Sequence, residues 1–220
     1  MNKRQFIVIG LGRFGHSVAK TLYELGHDVM VIDKDEEKIQ EICDYVTHAV
    51  QIDATDEKTL KSLGIKNFDV AIVTIGSDIQ ASIMITLLMK ELGVKYTIAK
   101  AKSDLHAKVL YKIGADKVVL PEKDMGVRIA RNLVYSNVLD YIELSPYHSI
   151  MEMEAADSWH GKTLKEINFR NKYGINVVAV KQGDDIKVSP RAEYMITPKD
   201  IIVAIGTNEE LESIQKKMKK

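Results

Sequence analysis

The sequence predicts an α/β protein in which a doubly wound parallel sheet is followed by a small α+β domain. Short runs rich in Val, Ile and Phe alternate with longer helical segments through residues 4–120, a pattern typical of parallel strands joined by right-handed crossovers. Several of these runs are apolar almost without interruption, as expected for strands that are covered on both faces. Beyond residue 140 the pattern changes to short strands with a hairpin signal.

The first domain is predicted to contain a series of strands with a crossover helix between each pair. The strands are Gln5–Ile9, Asp28–Ile32, His48–Ile52, Val70–Ile75, Tyr96–Ala99 and Lys117–Leu120. The helices are Phe14–Leu25, Asp35–Tyr45, Asp56–Leu63, Asp78–Leu92 and Asp104–Ile113. Each helical segment is long enough to connect two parallel strands.

A further helix is predicted from Glu122 to about Val138. Its apolar residues form two adjacent rows: Met125, Ile129 and Leu133, and beside them Val127, Ala130, Val134 and Val138. So wide an apolar surface belongs either to an ordinary core helix or to a helix that is shared with a partner subunit. The pattern favours the shared helix.

The second domain is predicted to be small and rich in strands. Its strands are Tyr141–Leu144, Ser149–Ala155, Ile175–Lys181, Ile186–Val188 and Ile201–Ile205, with helices near Thr163–Tyr173 and from Glu209. Gly183-Asp184-Asp185 is a hairpin signal between two of these strands. We place the boundary near residues 135–145, so that the domains are residues 1–138 and 139–220. A domain of this size has little core of its own, which favours self-association.

Charge, cysteine content and hydropathy exclude several classes of protein. Lys plus Arg and Asp plus Glu both number 31, so no net charge favours nucleic acid or an anionic membrane. The single cysteine, Cys43, excludes an internal disulfide and fits a reducing compartment. No apolar run approaches the ~18 residues that span a bilayer, and no signal-peptide pattern opens the chain. We therefore expect a soluble cytoplasmic protein without direct membrane insertion.

The segment Gly10-Leu11-Gly12-Arg13-Phe14-Gly15 follows the first strand and opens the first helix. In a Rossmann-like fold the first glycine makes a tight turn, the second lets the backbone approach a pyrophosphate, and the third lets helix and strand pack closely. Phosphates would then meet free N–H groups and the positive end of the helix dipole. The segment therefore predicts nucleotide binding.

An acidic residue at the expected distance supports this prediction. Asp33 ends the second strand, 18 residues beyond Gly15. A carboxylate there can accept hydrogen bonds from both ribose hydroxyls, and it would repel a 2′-phosphate. We therefore expect an adenosine ribose without a 2′-phosphate.

Two other residues have alternative interpretations. Asp53 ends the third strand, where it could accept a hydrogen bond from the adenine amine or could be the N-cap of the following helix. Arg13 is well placed for phosphate contact, although a solvent-facing residue of the first helical turn would have the same position. The sequence leaves both questions open.

Catalytic residues are not evident beside this cofactor site. Tyr96 and Lys100 have the spacing of the short-chain dehydrogenase pair, but that pair needs a helix, and on a strand four residues span ~13 Å. His106 could be a general base, although a surface histidine is the simpler interpretation. No metal-binding spacing of histidines, GxSxG motif or P-loop lysine occurs. The pattern indicates a sensor rather than an enzyme.

These residues resemble the RCK/KTN regulators of potassium transport, most closely the KtrA type. The N-terminal resemblance rests on the segments Val8–Gly15, Val31–Asp33, Asp53–Thr55 and Gly114–Glu122. The C-terminal part is similar to the TrkA-C (RCK-C) module at Leu164, Ile167, Gly174–Val180 and Asp200–Val203. The resemblance covers essentially the whole chain and implies a TrkA-N (RCK-N) domain followed by a TrkA-C domain.

The resemblance also implies a function. The protein would be a non-enzymatic cytoplasmic regulatory subunit that forms dimers and an octameric ring on a KtrB-type membrane subunit, which translocates K⁺. ATP or ADP, or in some members NAD(H), would bind at the glycine segment and change the shape of the ring. A divalent cation, Mg²⁺ or Ca²⁺, would join the ATP γ-phosphates at Glu122. No nucleic acid is implied.

The motif and the resemblance together give a set of cofactor-binding residues. They are Gly10, Gly12, Arg13, Phe14, Gly15, Asp33, Asp35, Asp53, Ala54, Lys100 and Lys102. The resemblance implies that Arg13 contacts phosphate and that Asp33 and Asp35 hold the ribose region. It places the two lysines near the pocket.

The C-terminal module resembles a receptor for cyclic di-AMP, which would bind once at a two-fold axis and inhibit uptake. The matching residues are Ile167, Arg170, Ile175, Asn176 and Pro190. Arg suits a phosphate, Asn suits a base edge or a phosphate, and Ile and Pro can form an apolar bed for purines. Alternatively, Ile167 and Ile175 are core residues and Arg170 is a solvated helix end.

Two other classes of function are alternatives. A small NAD-dependent oxidoreductase would need reactive side chains that face the nicotinamide, and the sequence identifies none. A DNA-binding redox repressor would need a winged helix and a basic face. The lysines at positions 216, 217, 219 and 220 are better interpreted as cations at a helix C-terminus.

Overall fold

The computed structural model describes residues 3–134 and 138–218, which form two compact units that divide between Lys123 and Asp124. The strands of the first unit are β1 Gln5–Ile9, β2 Asp28–Asp33, β3 His48–Gln51, β4 Val70–Val73, β5 Tyr96–Lys100 and β6 Lys117–Val119. They form a parallel sheet in the order β3-β2-β1-β4-β5-β6. The predicted doubly wound sheet is therefore confirmed.

Helices connect these strands, and most of them begin at a polar side chain. The helices are α1 Arg13–Glu24, α2 Glu36–Ile42, α3 Glu57–Ser62, α4 Ile79–Glu91 and α5 Asp104–Lys112. Asp35, Asp56, Asp78 and Ser103 each accept a hydrogen bond from a backbone N–H of the first turn of α2, α3, α4 and α5 respectively, which stabilises the helix start. By contrast, α1 begins at Gly12, which has no side chain to act as a cap.

The central strand of the first unit is buried on both faces. Ile7 and Ile9 of β1 belong to one hydrophobic cluster, whereas Phe6 and Val8 belong to another, because successive residues of a strand point to opposite faces. The strand order reverses between β1 and β4. In an open parallel sheet, such a reversal leaves a crevice at the carboxyl ends of the two strands.

A sixth helix, α6, extends over Pro121–Val134. The prediction that it continues to Val138 is wrong, since Val138 begins a strand; the residues between them lie outside the described part of the chain. Met125, Val127, Ile129 and Leu133 are exposed in the single chain. The two units divide after the first turn of α6, so the domain boundary that we placed after residue 138 stays a prediction.

The second unit is built on an antiparallel sheet. Its strands are β7 Val138–Ser145, β8 His148–Glu154, β9 Asn176–Gln182, β10 Asp185–Val188 and β11 Ile201–Thr207, in the order β10-β9-β11-β8-β7. The hairpin signal is confirmed, because Gln182 pairs with Asp185 across a turn in which Gly183 has φ +59°.

The helices of the second unit are α7 Leu164–Ile167, α8 Phe169–Tyr173 and α9 Asn208–Met218. One helix was predicted over Thr163–Tyr173, but Asn168 adopts the left-handed conformation, with φ 54° and ψ 57°, and this breaks the segment into α7 and α8. Within residues 3–134 and 138–218, none of the helices combines the length and the apolar character that crossing a bilayer requires.

Candidate functional site

The glycine segment forms a tight turn from the end of β1 into α1. Gly10 has φ +98°, and its N–H donates a 2.8 Å hydrogen bond to the carbonyl of Ile32. The N–H of His16 donates to the carbonyl of Gly12 at 2.9 Å, which begins the internal hydrogen bonding of α1. The N–H groups of the preceding residues of the helix therefore point out of its N-terminal end, where they suit an anion.

The packing around the loop explains why the third position is glycine. A Cβ at Gly15 would collide with the carbonyl oxygen of Gly10 and would lie 2.5 Å from Oγ1 of Thr74. The hydroxyl of Thr74 donates to the carbonyl oxygens of Gly10 and Ile9, so the end of β4 holds the loop. A Cβ at Gly12 would meet no atom within 4 Å. Backbone that is open in this way can be approached closely by a phosphate.

Asp33 accepts two backbone hydrogen bonds, one of them from the glycine loop. Its Oδ2 accepts from the N–H of Leu11 at 2.6 Å, and its Oδ1 accepts from the N–H of Asp35 at 3.0 Å. Each carboxylate oxygen can accept two hydrogen bonds, so both retain capacity for a ribose hydroxyl. The structure thus places the predicted ribose acid directly beside the predicted phosphate loop.

A cavity of about 830 Å³ lies at the carboxyl ends of the parallel strands. One end follows β2 and β3 and is lined by Asp33, Lys34, Lys38, Ile52, Asp53, Ala54 and Thr55. The other end follows β4 and β5 and is lined by residues 74–78, Gln80, Ala81, Met84, Lys100, Lys102 and Glu122, with Gly10–Gly12 between the two ends. Such a volume lies within the range of ligand pockets, and its two ends suit the two parts of an extended nucleotide.

The predicted cofactor residues divide into two groups. Those that line the cavity are Gly10, Gly12, Asp33, Asp53, Ala54, Lys100 and Lys102, together with Glu122, the predicted cation ligand. Arg13, Phe14, Gly15 and Asp35 do not line it. Arg13 and Phe14 lie on the first turn of α1, next to the lining, whereas Asp35 is the N-cap of α2 and pairs with Lys38 at 3.2 Å.

Asp53 is not a helix cap. The N-cap of α3 is Asp56, so the alternative interpretation of Asp53 is wrong. Instead, Oδ1 of Asp53 accepts from the N–H of Thr55 at 2.9 Å and from its hydroxyl at 2.7 Å. These hydrogen bonds lower the pKa of Asp53, which keeps it a charged acceptor at the exposed edge of the cavity.

Lys100 and Glu122 form an ion pair at the other end of the cavity. Nζ of Lys100 lies 2.5 Å from Oε1 of Glu122, and the two side chains are 15% and 73% exposed, respectively. The same ammonium lies 5.9 Å from the ring centre of Phe14. The hydrogen bond from Lys100 lowers the pKa of Glu122. A mostly buried cation therefore lies close to the N-terminal end of α1.

The residues considered for catalysis lie on β5 and on α5. Tyr96 and Lys100 are the two ends of β5, as the strand prediction required, and they do not share a helix face. The expectation that His106 is a surface residue is wrong, because it is 3% exposed. Its Nδ1 accepts from the N–H of Lys102 at 3.3 Å, and burial lowers its pKa. A neutral histidine here contributes to packing.

The cavity contains one residue that was predicted to bind a divalent cation, Glu122. Within residues 3–134 and 138–218, no cluster of three or more His, Cys, Asp or Glu side chains could hold a metal ion. Glu122 is an exposed carboxylate at the cavity edge. Mg²⁺ commonly binds through one or two carboxylates together with substrate phosphates and water, so Glu122 fits a cation that a nucleotide would bring.

The residues predicted to bind cyclic di-AMP differ in exposure. Ile167 and Ile175 are 4% and 0% exposed and belong to the core of the second unit, as the alternative interpretation expected. Arg170 in α8 and Asn176 at the start of β9 are exposed, and Pro190 is half-buried. Arg170 and Asn176 are therefore available to a ligand, whereas contact through the two isoleucines stays a prediction.

Sequence reasoning missed the part of the cavity wall that follows β4. Thr74, Ile75, Gly76, Ser77 and Asp78 all line the cavity, yet this segment contains no recognised binding motif. A topological signal could have identified it, because the loops after the two strands at the reversal of strand order flank the crevice. The sequence predicted both strands but not that they are neighbours.

Comparison with known proteins identifies the family. The TrkA-N domain matches residues 6–121, and the TrkA-C domain matches residues 150–219. The chain belongs to the TrkA-N plus TrkA-C family. It is 50% identical over 216 residues to Ktr system potassium uptake protein C of Bacillus subtilis (strain 168), covering 98% of both chains. It is 46% identical to Ktr system potassium uptake protein A of the same organism, covering 98% of this chain and 97% of the relative.

A solved structure supports the fold of this family member. The chain resembles a structure described as the GsuK channel bound to NAD, with a TM-score of 0.68 and 18% sequence identity. The similarity covers 97% of this chain and 39% of the channel chain. At this identity the comparison shows that the fold is shared. The resemblance to RCK proteins that the sequence indicated is confirmed.

Proposed function

We propose that this protein is the regulatory subunit of a Ktr-type potassium uptake system. The identity of 50% to a Ktr potassium uptake protein over 98% of both chains supports this proposal most directly. The subunit would act from the cytoplasmic side on a KtrB-type membrane subunit, which conducts K⁺. In this proposal it assembles as dimers in an octameric ring, and the apolar residues exposed on α6 are available for contacts between subunits.

The ligand of the first unit is an adenine nucleotide: ATP or ADP, or alternatively NAD(H). Asp33 would hold the ribose, and the open backbone at Gly12 would approach the phosphates. Lys100 and Lys102 line the far end of the cavity, where cations suit further phosphates better than they suit a nicotinamide ring. A divalent cation at Glu122 would neutralise part of the phosphate charge.

The function is gating rather than catalysis. Two nucleotides can shift the equilibrium between two ring conformations only if they bind those conformations with different affinities. The ligand of the second unit is cyclic di-AMP, held by Arg170 and Asn176 near Pro190, and it inhibits uptake. A nicotinamide oxidoreductase is the weaker alternative, because the tyrosine–lysine pair lies on a strand and His106 is buried.

Binding and transport measured together test the proposal. The full-length protein should bind ATP, ADP or NADH in calorimetric titrations at one site per chain, and cyclic di-AMP at one site per two chains. Expressed with a KtrB-type subunit in a strain that lacks other K⁺ uptake, it should restore growth at low K⁺. Loss of this growth is expected when Asp33 is replaced with Ala. Growth that never depends on the presence of this chain would refute the regulatory function.

A further inference from the structure

The ion pair between Lys100 and Glu122 joins two parts of the first unit that differ in exposure. Lys100 ends β5 and its side chain is 15% exposed, whereas Glu122 lies in the first turn of α6 and is 73% exposed. Both residues line the cavity. The cation is thus mostly buried in the site, whereas its anionic partner is exposed, and an exposed glutamate can change rotamer at little cost.

The Lys100 ammonium lies close to the glycine turn and to the loop after β4. It lies 5.9 Å from the ring centre of Phe14 in the first turn of α1. It would also be 3.7 Å from a Cβ at Gly76, in the loop after β4. The ammonium therefore stands between the N-terminal end of α1 and the β4 loop, where phosphates that leave the glycine turn would arrive.

A mostly buried ammonium needs an anion beside it, because an unpaired charge in this position is costly. We propose that Glu122 competes with the nucleotide phosphates for Lys100, so that phosphate binding exchanges one anion for another and releases Glu122. This inference rests on the proposed nucleotide function and specifies its regulation. A ligand whose phosphates stop short of Lys100 leaves the pair intact, whereas a longer phosphate chain breaks it.

The exchange would occur at the first turn of α6, next to the division between the two units. Glu122 belongs to the first turn of α6, and the remainder of this helix belongs to the second unit. In this proposal the number of phosphates at the site determines whether Glu122, at the start of α6, is paired with Lys100 of β5. A divalent cation weakens the competition, because it can bind the phosphates and the released carboxylate together.

Competition for Lys100 predicts that removing the Glu122 carboxylate tightens ATP binding, whereas a role of Glu122 as a cation ligand alone does not. In calorimetric titrations of the full-length protein in EDTA, Glu122→Gln should bind ATP roughly three- to tenfold more tightly than the wild type, because Lys100 no longer has a competing carboxylate. Lys100→Gln should bind ATP roughly tenfold more weakly. In the double variant, the gain from Glu122→Gln should disappear, because the two residues act through one interaction.

A neighbouring ion pair provides the matched control. Lys123 pairs with Asp104 at 2.7 Å, and both side chains are exposed. Neither residue lines the cavity, so Asp104→Asn removes a carboxylate from the same region without affecting the competition. Its ATP affinity should equal that of the wild type.

Two results would overturn the inference in different ways. If the wild type binds ATP and Glu122→Gln binds it equally well or more weakly in EDTA, Glu122 does not compete for Lys100. If neither the wild type nor any variant binds an adenine nucleotide, the proposed function itself fails and the inference fails with it. Thermal unfolding of each variant shows whether it is folded. Glu122→Ala is a second test, since it also removes the competing carboxylate and should also tighten ATP binding.

Discussion

Leu11 and Asp33 are joined by a 2.6 Å hydrogen bond from the backbone N–H of Leu11 to Oδ2 of Asp33. This bond connects the loop after β1 with the end of β2. The acid that would hold the ribose therefore also holds the loop that would hold the phosphates. A substitution at Asp33 should therefore weaken the binding of both the ribose and the phosphates.

The first prediction concerns Asp33 directly. Asp33→Ala should weaken the binding of ATP and NADH at least tenfold, since the ribose hydroxyls lose a charged acceptor whose hydrogen bonds contribute about 1.5–3 kcal/mol. NADP should bind more weakly than NAD to the wild type, because its 2′-phosphate would face this carboxylate. Calorimetric titration measures both effects. Glu37→Ala removes an exposed carboxylate from the first turn of α2, outside the cavity lining, and should leave the affinity nearly unchanged. Equal affinities for wild type and Asp33→Ala would remove Asp33 from the site.

The second prediction distinguishes two glycines of the same loop. Gly15→Ala should lower both the melting temperature and the nucleotide affinity, because its Cβ would collide with the carbonyl of Gly10. Gly12→Ala should lower the affinity alone, because its Cβ would meet no protein atom within 4 Å but would occupy the space that a phosphate needs. Differential scanning calorimetry and titration separate the two effects. A Gly12 variant that binds nucleotide normally would contradict phosphate binding at this turn.

The third prediction concerns self-association through α6. Met125 and Ile129 are 51% exposed and Leu133 is 78% exposed in the single chain, an arrangement that favours burial against a partner. Ile129→Lys should yield smaller species, because a charge in a dry interface is costly. Multi-angle light scattering measures the mass. A wild-type mass of 24.8 kDa at micromolar concentration would show a monomer and refute this prediction.

The fourth prediction concerns Arg170 and cyclic di-AMP. A symmetric dimer should bind one cyclic di-AMP on its two-fold axis, with Arg170 and Asn176 from both chains at the ligand. Arg170→Ala should then remove two phosphate contacts per ligand and weaken binding more than tenfold. Lys172→Ala, a cation change on the same helix, is the control and should retain affinity. ATP binding should be unchanged in both variants. A stoichiometry other than one ligand per two chains would exclude the two-fold site.

Local patterns predicted most of the first unit. Strand runs, polar helix caps and the glycine segment are local signals, and the predicted β1 has the same bounds as the observed strand. The cavity wall after β4 could not be predicted in this way, because it depends on β4 lying beside β1, and strand neighbours are set by packing over long distances in the chain. His106 was expected at the surface but is 3% exposed, and which face of α5 is covered depends on the elements that pack against it.

The second unit shows how one residue can change a prediction. The pattern around Thr163–Tyr173 is helical, but Asn168 takes the left-handed conformation that Asn tolerates better than most residues. The same break separates Ile167, which packs into the core, from the exposed Arg170. The family resemblance placed both residues at one ligand site, and that placement stays a prediction.

Among the residues that the structure describes, those that line the cavity lie between Ile9 and Glu122 and belong to the first unit. During synthesis these residues leave the ribosome before the second unit does, and domains generally fold in that order. A nucleotide that binds only the folded form stabilises it by mass action. Under the proposed function, the nascent chain would therefore bind its nucleotide, and gain stability from it, while the rest of the polypeptide is still being translated.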